Sequence, residues 1–422
     1  MKKYIRAYPM IVLLLPLVAA ILLWGHFRPE EQSDTEEHTY GFVLTSMPKS
    51  TAKCERFEAK VLPKGDVYLY ILHDSTRAMP AYGDTVVTYT HIEREGRIAR
   101  AFTAKYQVLP AHQRPPLQYR LYQRLAAAGL IGDELATVGA LTLGYKDDID
   151  PEIRRHFQAS GAAHVLAVSG LHTGIIYGVL LWLLTLGGRI KPRYEDRWGR
   201  IIIGFFVIGT MWFYAWLTGM TPSVVRAVIM VSIVEIGRMA YRQNVSLNTI
   251  AAAAVLILLA RPTDLWSVSF QLSFAATAAI VIIAPTFHKI ITWTARHSKI
   301  LTWIVALLIV SLAAQIGTLP ITLYNFGQLS TYFLLTNLIV LPLATFLVPC
   351  GLITIALGGS MLGIWIGKIT YALAWLMNHS VGWIENLPSS TVPGHVNGLM
   401  VAIYYGVALF SVLLLAYVAK KQ

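Results

Sequence analysis

Residues 161–188 restrict this chain more than any other stretch. They form an apolar run long enough to cross a bilayer, opening with GAAHVLAVSGLHTGIIYG. Yet the run holds His164, Ser169 and His172, with glycines at 170, 174 and 178. A helix that only anchors would be leucine and valine. Polar atoms at membrane depth cost free energy unless they face protein, water or a substrate. We therefore read the rest of the chain as arranged around a polar path, with this helix as one wall.

Composition sets the solvent. Of 422 residues, 55% are hydrophobic and 14% charged, against about 25% charged in a soluble domain. Most of the chain is dissolved in lipid. A formal charge of +12 suits a nucleic-acid partner, but the charges map onto loops, which favours the cationic cytoplasmic loops of an inner-membrane protein.

Lys2, Lys3 and Arg6 precede an apolar run, so residues 1–28 read as a retained signal-anchor helix with a cytoplasmic N-terminus. Residues 29–116 are polar. An acidic linker over 30–37 leads into alternating segments at 40–44, 54–62, 67–72, 84–92 and 98–108, separated by turn residues. That pattern predicts a small all-β domain of OB type. Residues 117–160 show apolar positions at three- and four-residue spacings, which predicts amphipathic helices on the membrane surface.

Spans follow near 162–188, 201–218, 221–240, 247–260, 265–285, 300–323, 331–357, 361–387 and 398–418, about ten with the first helix. Alternation from a cytoplasmic start puts Arg189, Lys191, Arg193, Arg197 and Arg200 inside. It does the same for Arg238 and Arg242, for Lys289, Arg296 and Lys299, and for Lys420 and Lys421. Both termini are then cytoplasmic and the β-domain extracytoplasmic. The expected fold is a polytopic α-helical membrane protein carrying a small OB-like β-domain.

Several side chains resist a plain membrane reading. Arg226 lies inside a span, where an arginine costs about 2.5–3.5 kcal/mol on insertion scales. Asp264 is at a suitable depth to partner it, while Glu235 projects elsewhere and could meet Arg238. Gln271, Ser273 and Thr277 make a second polar patch, and Gln315, Thr318 and Asn325 a third. Pro320 frees a backbone carbonyl beside that third patch. Such groups either line a cavity or bond between helices.

Enzyme chemistry finds less support. Ser169 and His172 could be a nucleophile and its base, but no third orienting group is apparent. His164 and His172 are too far apart on one helix to share a metal ion. No CxxC pair, Walker loop or histidine-aspartate cluster occurs. We expect no enzyme, no metal and no cofactor, so directed transport must draw on another protein or a gradient.

AAHVLAVSGLHTGIIYG is similar to the signature helix of the ComEC competence proteins, inner-membrane channels of natural transformation. The likeness continues, in order, through WFYAWLTGMTPSVVRAVIM, LARPTDLWSVSFQLSFAATAAI and AAQIGTLPITLYNFGQLSTYFLLTNLIVLP. It marks residues 161–357 as a ComEC-like competence domain, with C-terminal membrane helices over 358–422. Residues 40–108 resemble that family's OB-like domain more weakly.

The resemblance implies passage of single-stranded DNA across the cytoplasmic membrane. His164, Ser169, Gly170, His172, Arg226, Asp264, Gln271, Ser273, Gln315 and Asn325 would then line or shape the route. Lys53, Arg56, Phe57, Lys60, Lys64, Tyr68 and Tyr70 would bind the strand on the OB-like domain, where bases stack on aromatic rings. Partners would be single-stranded DNA, membrane lipid, a periplasmic DNA receptor, and a cytoplasmic helicase or single-strand-binding protein. Longer members continue into a metallo-β-lactamase-like domain, which is expected to be missing here. Some carry a cysteine pair in the outer domain, whereas Cys54 stands alone, so no disulfide is expected there. The alternatives are a transporter or scaffold for a small polar solute or a lipid, and, more remotely, an intramembrane serine hydrolase.

Overall fold

The computed structural model describes residues 9–26, 34–46, 48–50, 54–61, 65–72, 79–95, 98–109, 116–166, 168–185, 197–240 and 246–419. Alternating apolar residues build a closed barrel near the N-terminus. Its strands are β1 (Asp34–Leu44), β2 (Lys49–Ser50), β3 (Cys54–Val61), β4 (Gly65–Leu72), β5 (Thr85–Glu95), β6 (Ile98–Thr103) and β7 (Gln107–Leu109). The sheet runs β1-β3-β4-β6-β5 and closes because β5 also pairs with β1. β4 and β6 are parallel; the other pairs are antiparallel. β2 adds to β3, and β7 to β5.

Period-two alternation sends Phe42, Phe57, Leu69, Ile71 and Ala101 into the barrel. Thr88 and Thr103 also point inward, and their hydroxyls bond each other at 2.6 Å. The acidic stretch is not linker throughout. From Asp34 it belongs to β1, because β5 is long enough to pair Asp34 with Ile92 and His38 with Thr90.

The helices follow. α1 (Pro9–His26) precedes the barrel; after it come α2 (Leu117–Ala127), α3 (Gly132–Leu143), α4 (Pro151–Ala159), α5 (Ala163–Leu166) and α6 (Gly170–Leu184). Then come α7 (Arg197–Leu217), α8 (Pro222–Met239), α9 (Ser246–Ala260), α10 (Val268–Ile283), α11 (His288–His297) and α12 (Lys299–Phe326). A short β8 (Gln328–Ser330) leads to α13 (Phe333–Leu357) and α14 (Met361–Glu385); β9 (Thr391–Pro393) pairs with β8 before α15 (Gly398–Ala419). Among the described residues, the stretches Trp198–Leu217, Val268–His297, Lys299–Phe326 and Phe333–Leu357 are long and apolar enough to cross a membrane.

Three packing facts position the site. α1 docks on α9, with Ile21 against Ala254, Ile257 and Leu258, and the Met10 amide donating to Asn248 Oδ1 at 2.9 Å. An apolar cavity of about 260 Å³ lies beside that contact, lined by Leu14, Val18, Ala251, Phe270 and Phe274. α12 lies hard against α10: a Cβ on Gly317 would stand 2.7 Å from the Ala275 carbonyl oxygen, so only glycine fits there.

Finally, α3 does not present two faces. Every residue from Ala136 to Leu143 is buried, because α13 and α14 close over it in one core with Leu125, Leu141, Val340, Leu347 and Met377. α2 keeps the two-faced pattern, burying Tyr122 and Leu125 and exposing Arg120, Gln123 and Arg124.

Candidate functional site: a polar junction at three helix starts

The apolar run at 161–188 is not one helix. Gly161 takes φ +88°, and a Cβ there would lie 2.9 Å from Ser330, so the chain turns at the one residue able to turn. Its neighbour Ser160 receives a hydrogen bond on its carbonyl from Thr336 Oγ1 at 2.6 Å. After the single turn of α5, Ser169 is extended (φ −128°, ψ 178°) and α6 begins at Gly170.

His172, at the third position of α6, accepts the Ser169 amide on Nδ1 at 3.1 Å, as a glutamate would in a capping box. Nδ1 therefore has no proton, and the neutral ring carries its N–H on Nε2. That Nε2 is fully buried without a protein partner. Ser169 Oγ lies 3.0 Å from the same Nδ1. The three-residue spacing that suggested a nucleophile and base is thus a helix cap, and among the described residues no carboxylate orients the ring.

The neighbouring helices start at the same place. Ser223, in the first turn of α8, donates to the Val168 carbonyl at 2.6 Å. A Cβ on Gly170 would touch Ala227 at 3.7 Å. Arg226 stands between, 3% exposed, and donates from Nη2 to Ser269 at the start of α10, to the carbonyl at 3.0 Å and to Oγ at 2.7 Å. Its Nε finds no protein acceptor.

Asp264, in the turn before α10, does not form the expected ion pair. Arg226 meets Ser269 instead, in the first turn of α10. Gln271 donates back to the Leu265 carbonyl at 3.0 Å. Three helix N-termini, each the positive end of a helix dipole, are thus linked in series: α6 to α8 through Ser223 and Ala227, and α8 to α10 through Arg226.

The remaining positions are placed differently. His164 is exposed, its Nδ1 3.1 Å from the Gly161 carbonyl oxygen. The Ser273 carbonyl accepts from Thr277 at 2.8 Å within α10. Gln315 is half-buried on α12, and Asn325 is exposed, donating to its own helix at Ile321 at 2.8 Å. The carbonyl that Pro320 frees, on Ile316, accepts from Tyr404 of α15 at 2.9 Å, and Tyr405 serves Gly317 at 2.7 Å.

The fold thus sets the start of α6, with Ser169, Gly170 and His172, against the start of α8, ties α8 to the start of α10 through Arg226, and leaves Gln315 and Asn325 in separate local contacts. Sequence reasoning missed Ser269, although a serine three residues into a run beside Gln271 was visible. It also missed Tyr177, which donates at 2.5 Å to the buried Glu235 that Arg238 pairs at 2.7 Å. On α6, nothing among the described residues packs within 4 Å of where a side chain would stand on Gly174 or Gly178.

A second candidate surface lies on the barrel. β3, β4 and β6 set Arg56, Tyr70 and Phe102 side by side in one row, and Glu58, Tyr68 and Arg100 in the next. Tyr70 and Phe102 stack at 4.8 Å, and the Arg56 guanidinium lies 5.3 Å above the Tyr68 ring. Partial burial, then Glu58, push the Tyr68 phenol above its usual pKa. Phe57 is not on this surface. The alternation turns it inward, fully buried in the barrel core. Lys60 is exposed beside Asp66 in the β3–β4 register. Lys53 and Lys64 lie outside the described residues, as do Arg189, Lys191, Arg193, Arg242, Lys420 and Lys421. Among the described residues no three His, Cys, Asp or Glu side chains gather as a metal site.

Comparison with known proteins adds a family. The competence-protein family matches residues 141–418. The chain is similar to ComE operon protein 3 of Bacillus subtilis, 29% identical over 66% of this chain and 33% of that one. It is similar to recombination protein 2 of Haemophilus influenzae, 26% identical over 53% of this chain and 28% of the other. Competence protein ComA of Neisseria gonorrhoeae is 26% identical over 38% of this chain and 23% of its own. The chain thus spans about a third or less of the length of these relatives. No solved structure matches it.

Proposed function

This chain belongs to the competence-protein family, and from that premise we propose that it forms the ComEC-type route by which single-stranded DNA crosses the cytoplasmic membrane. The observation that carries the reading is the junction of Ser169, His172, Arg226 and Ser269, which lies wholly inside the matched stretch. A strand with a charge on every nucleotide cannot enter lipid, and it needs a wet, weakly gripping wall with donors on it. Positive helix ends and one buried arginine supply such a wall. The open glycine face of α6 supplies room beside it.

The barrel is read as an OB-like strand-binding domain on the outer side. Support comes from its closed five-strand order with one parallel pair, and from the row of Arg56, Tyr70 and Phe102, which offers stacking without base selectivity. Both termini are placed in the cytoplasm on the strength of the basic loops. A periplasmic receptor would deliver the strand and a cytoplasmic helicase would draw it in.

The test is a deletion strain given fluorescently tagged DNA. Tagged single strands should stop reaching the cytoplasm and return when the gene is restored. Undiminished entry in the deletion strain would reject the proposal and leave transport of a different solute as the function to pursue.

A further inference from the structure

We propose that residues 117–145 are a re-entrant hairpin, its second arm α3 buried in the helical core, whose tip emerges on the face of the membrane opposite the barrel. The argument starts from α13. At 1.5 Å per residue its length is about 37 Å, more than the roughly 30 Å of hydrocarbon, so its two ends face opposite sides.

The N-terminal end of α13 is marked by Gly161, packed on Phe333 and Ser330. The C-terminal end of α14 lies on that same side, tied to α4 by His156 bonding Glu385, with Arg155 Nε 3.1 Å from the same carboxylate. The other end of the pair is the turn between α13 and α14. There, a Cβ on Gly358 would stand 3.4 Å from Arg124 Nε, and one on Gly359 would stand 3.5 Å from the Ala127 carbonyl oxygen. The end of α2 thus touches one side of the membrane, and α4, a few residues after α3, touches the other.

The two ends of the hairpin meet at a common place. Gln118, near its start, reaches Gly219, and Gly144, at its finish, lies 3.2 Å (as a Cβ) from the Thr218 carbonyl oxygen. Between them, α2 leads away and α3 leads back. The turn is made by Gly129 at φ +93° and Gly132 at φ +58°, conformations that disfavour any side chain.

The receiving helices carry matching gaps. A Cβ on Gly367 would lie 2.5 Å from the Ala128 carbonyl oxygen, and one on Gly351 would lie 2.6 Å from Thr142 Cγ2. Thr137 donates to Asn378 Oδ1 at 3.0 Å, satisfying a polar pair inside the contact. Arg124 closes the arrangement by bringing its charge to the last turn of α13, the negative end of that helix. The exposed tip residues Ile131 and Asp133 thereby become part of the inner face.

The experiment uses the full chain without its two native cysteines (Cys54→Ser, Cys350→Ser) in oriented membrane vesicles, probed with a membrane-impermeant maleimide. Tyr89→Cys reports the barrel side, and Met361→Cys, which is 80% exposed at the α13–α14 turn, reports the other. Ile131→Cys and Asp133→Cys should label from the Met361 side and be at least tenfold slower from the Tyr89 side. Labelling from the barrel side, or from neither side at both tip positions, overturns the hairpin. Tyr89 and Met361 labelling from one side would overturn the two-sided frame on which it stands.

Discussion

Arg226 is the residue on which the junction depends. Its Nη2 alone bridges α8 to α10 by donating to both oxygens of Ser269, and a lysine Nζ, one bond closer to the backbone, falls short of them. Arg226→Lys should therefore lower DNA entry by at least tenfold at unchanged membrane levels, and Arg226→Ala should abolish it. Quantified uptake, with immunoblots of the membrane fraction, reads both. Normal uptake by Arg226→Ala would reduce the residue to a structural bond. The sequence announced this position because a charge inside an apolar run is costly. It did not announce the partner. Asp264 was expected from depth and charge, but an arginine next to a helix start is served as well by a neutral carbonyl and hydroxyl, and no charge pattern reveals those.

The barrel row is legible in the same partial way. Tyr68 and Tyr70 were visible as exposed aromatics of an alternating strand. Phe57 was misplaced because, one position out of phase with Arg56, it falls on the inward face. Phe102 was overlooked because its neighbours in space lie on β4, through a parallel pairing that no local pattern discloses. Phe102→Ala in the purified full chain should weaken binding of a fluorescent oligonucleotide by about 1–3 kcal/mol, the usual worth of one stacked base. Fluorescence anisotropy measures it, and an unchanged Kd would remove this face from the strand's path.

Among the elements, α12 shows how a sequence signal can be read correctly yet assigned the wrong consequence. Pro320 does free the Ile316 carbonyl, as its missing N–H requires. The acceptor does not line a cavity: Tyr404 occupies it, and Tyr405 covers Gly317. The last helix thus serves the carbonyl that the proline leaves open. Tyr404→Phe should destabilise the protein by about 0.5–1.5 kcal/mol, the net worth of one such hydrogen bond. A lowered Tm in detergent checks it, and an unchanged Tm would mean the carbonyl is otherwise served. α6 is the opposite case. A continuous span was expected over 162–188, and a break at Ser169 was found, although serine followed by a suitable acceptor three residues on is a helix-start signal.

For the whole molecule, a barrel followed by a helical membrane domain was legible from alternation and hydropathy alone. Five of the strands begin or end within a few residues of where turn residues placed them. What the pattern could not show is how α3 is enclosed by α13 and α14 while α2 keeps an exposed face, since apolar three- and four-residue spacing suits a membrane surface as well as a protein interior. The central claim is that α6 borders a water-filled route for DNA. Gly174→Cys tests it directly, because nothing among the described residues packs within 4 Å of that position and the new side chain leaves the fold intact. In the cysteine-free chain it should react with a water-soluble, membrane-impermeant thiol reagent and be protected by added single-stranded DNA. Reaction only with lipid-soluble reagents, or no protection by DNA, would contradict the route.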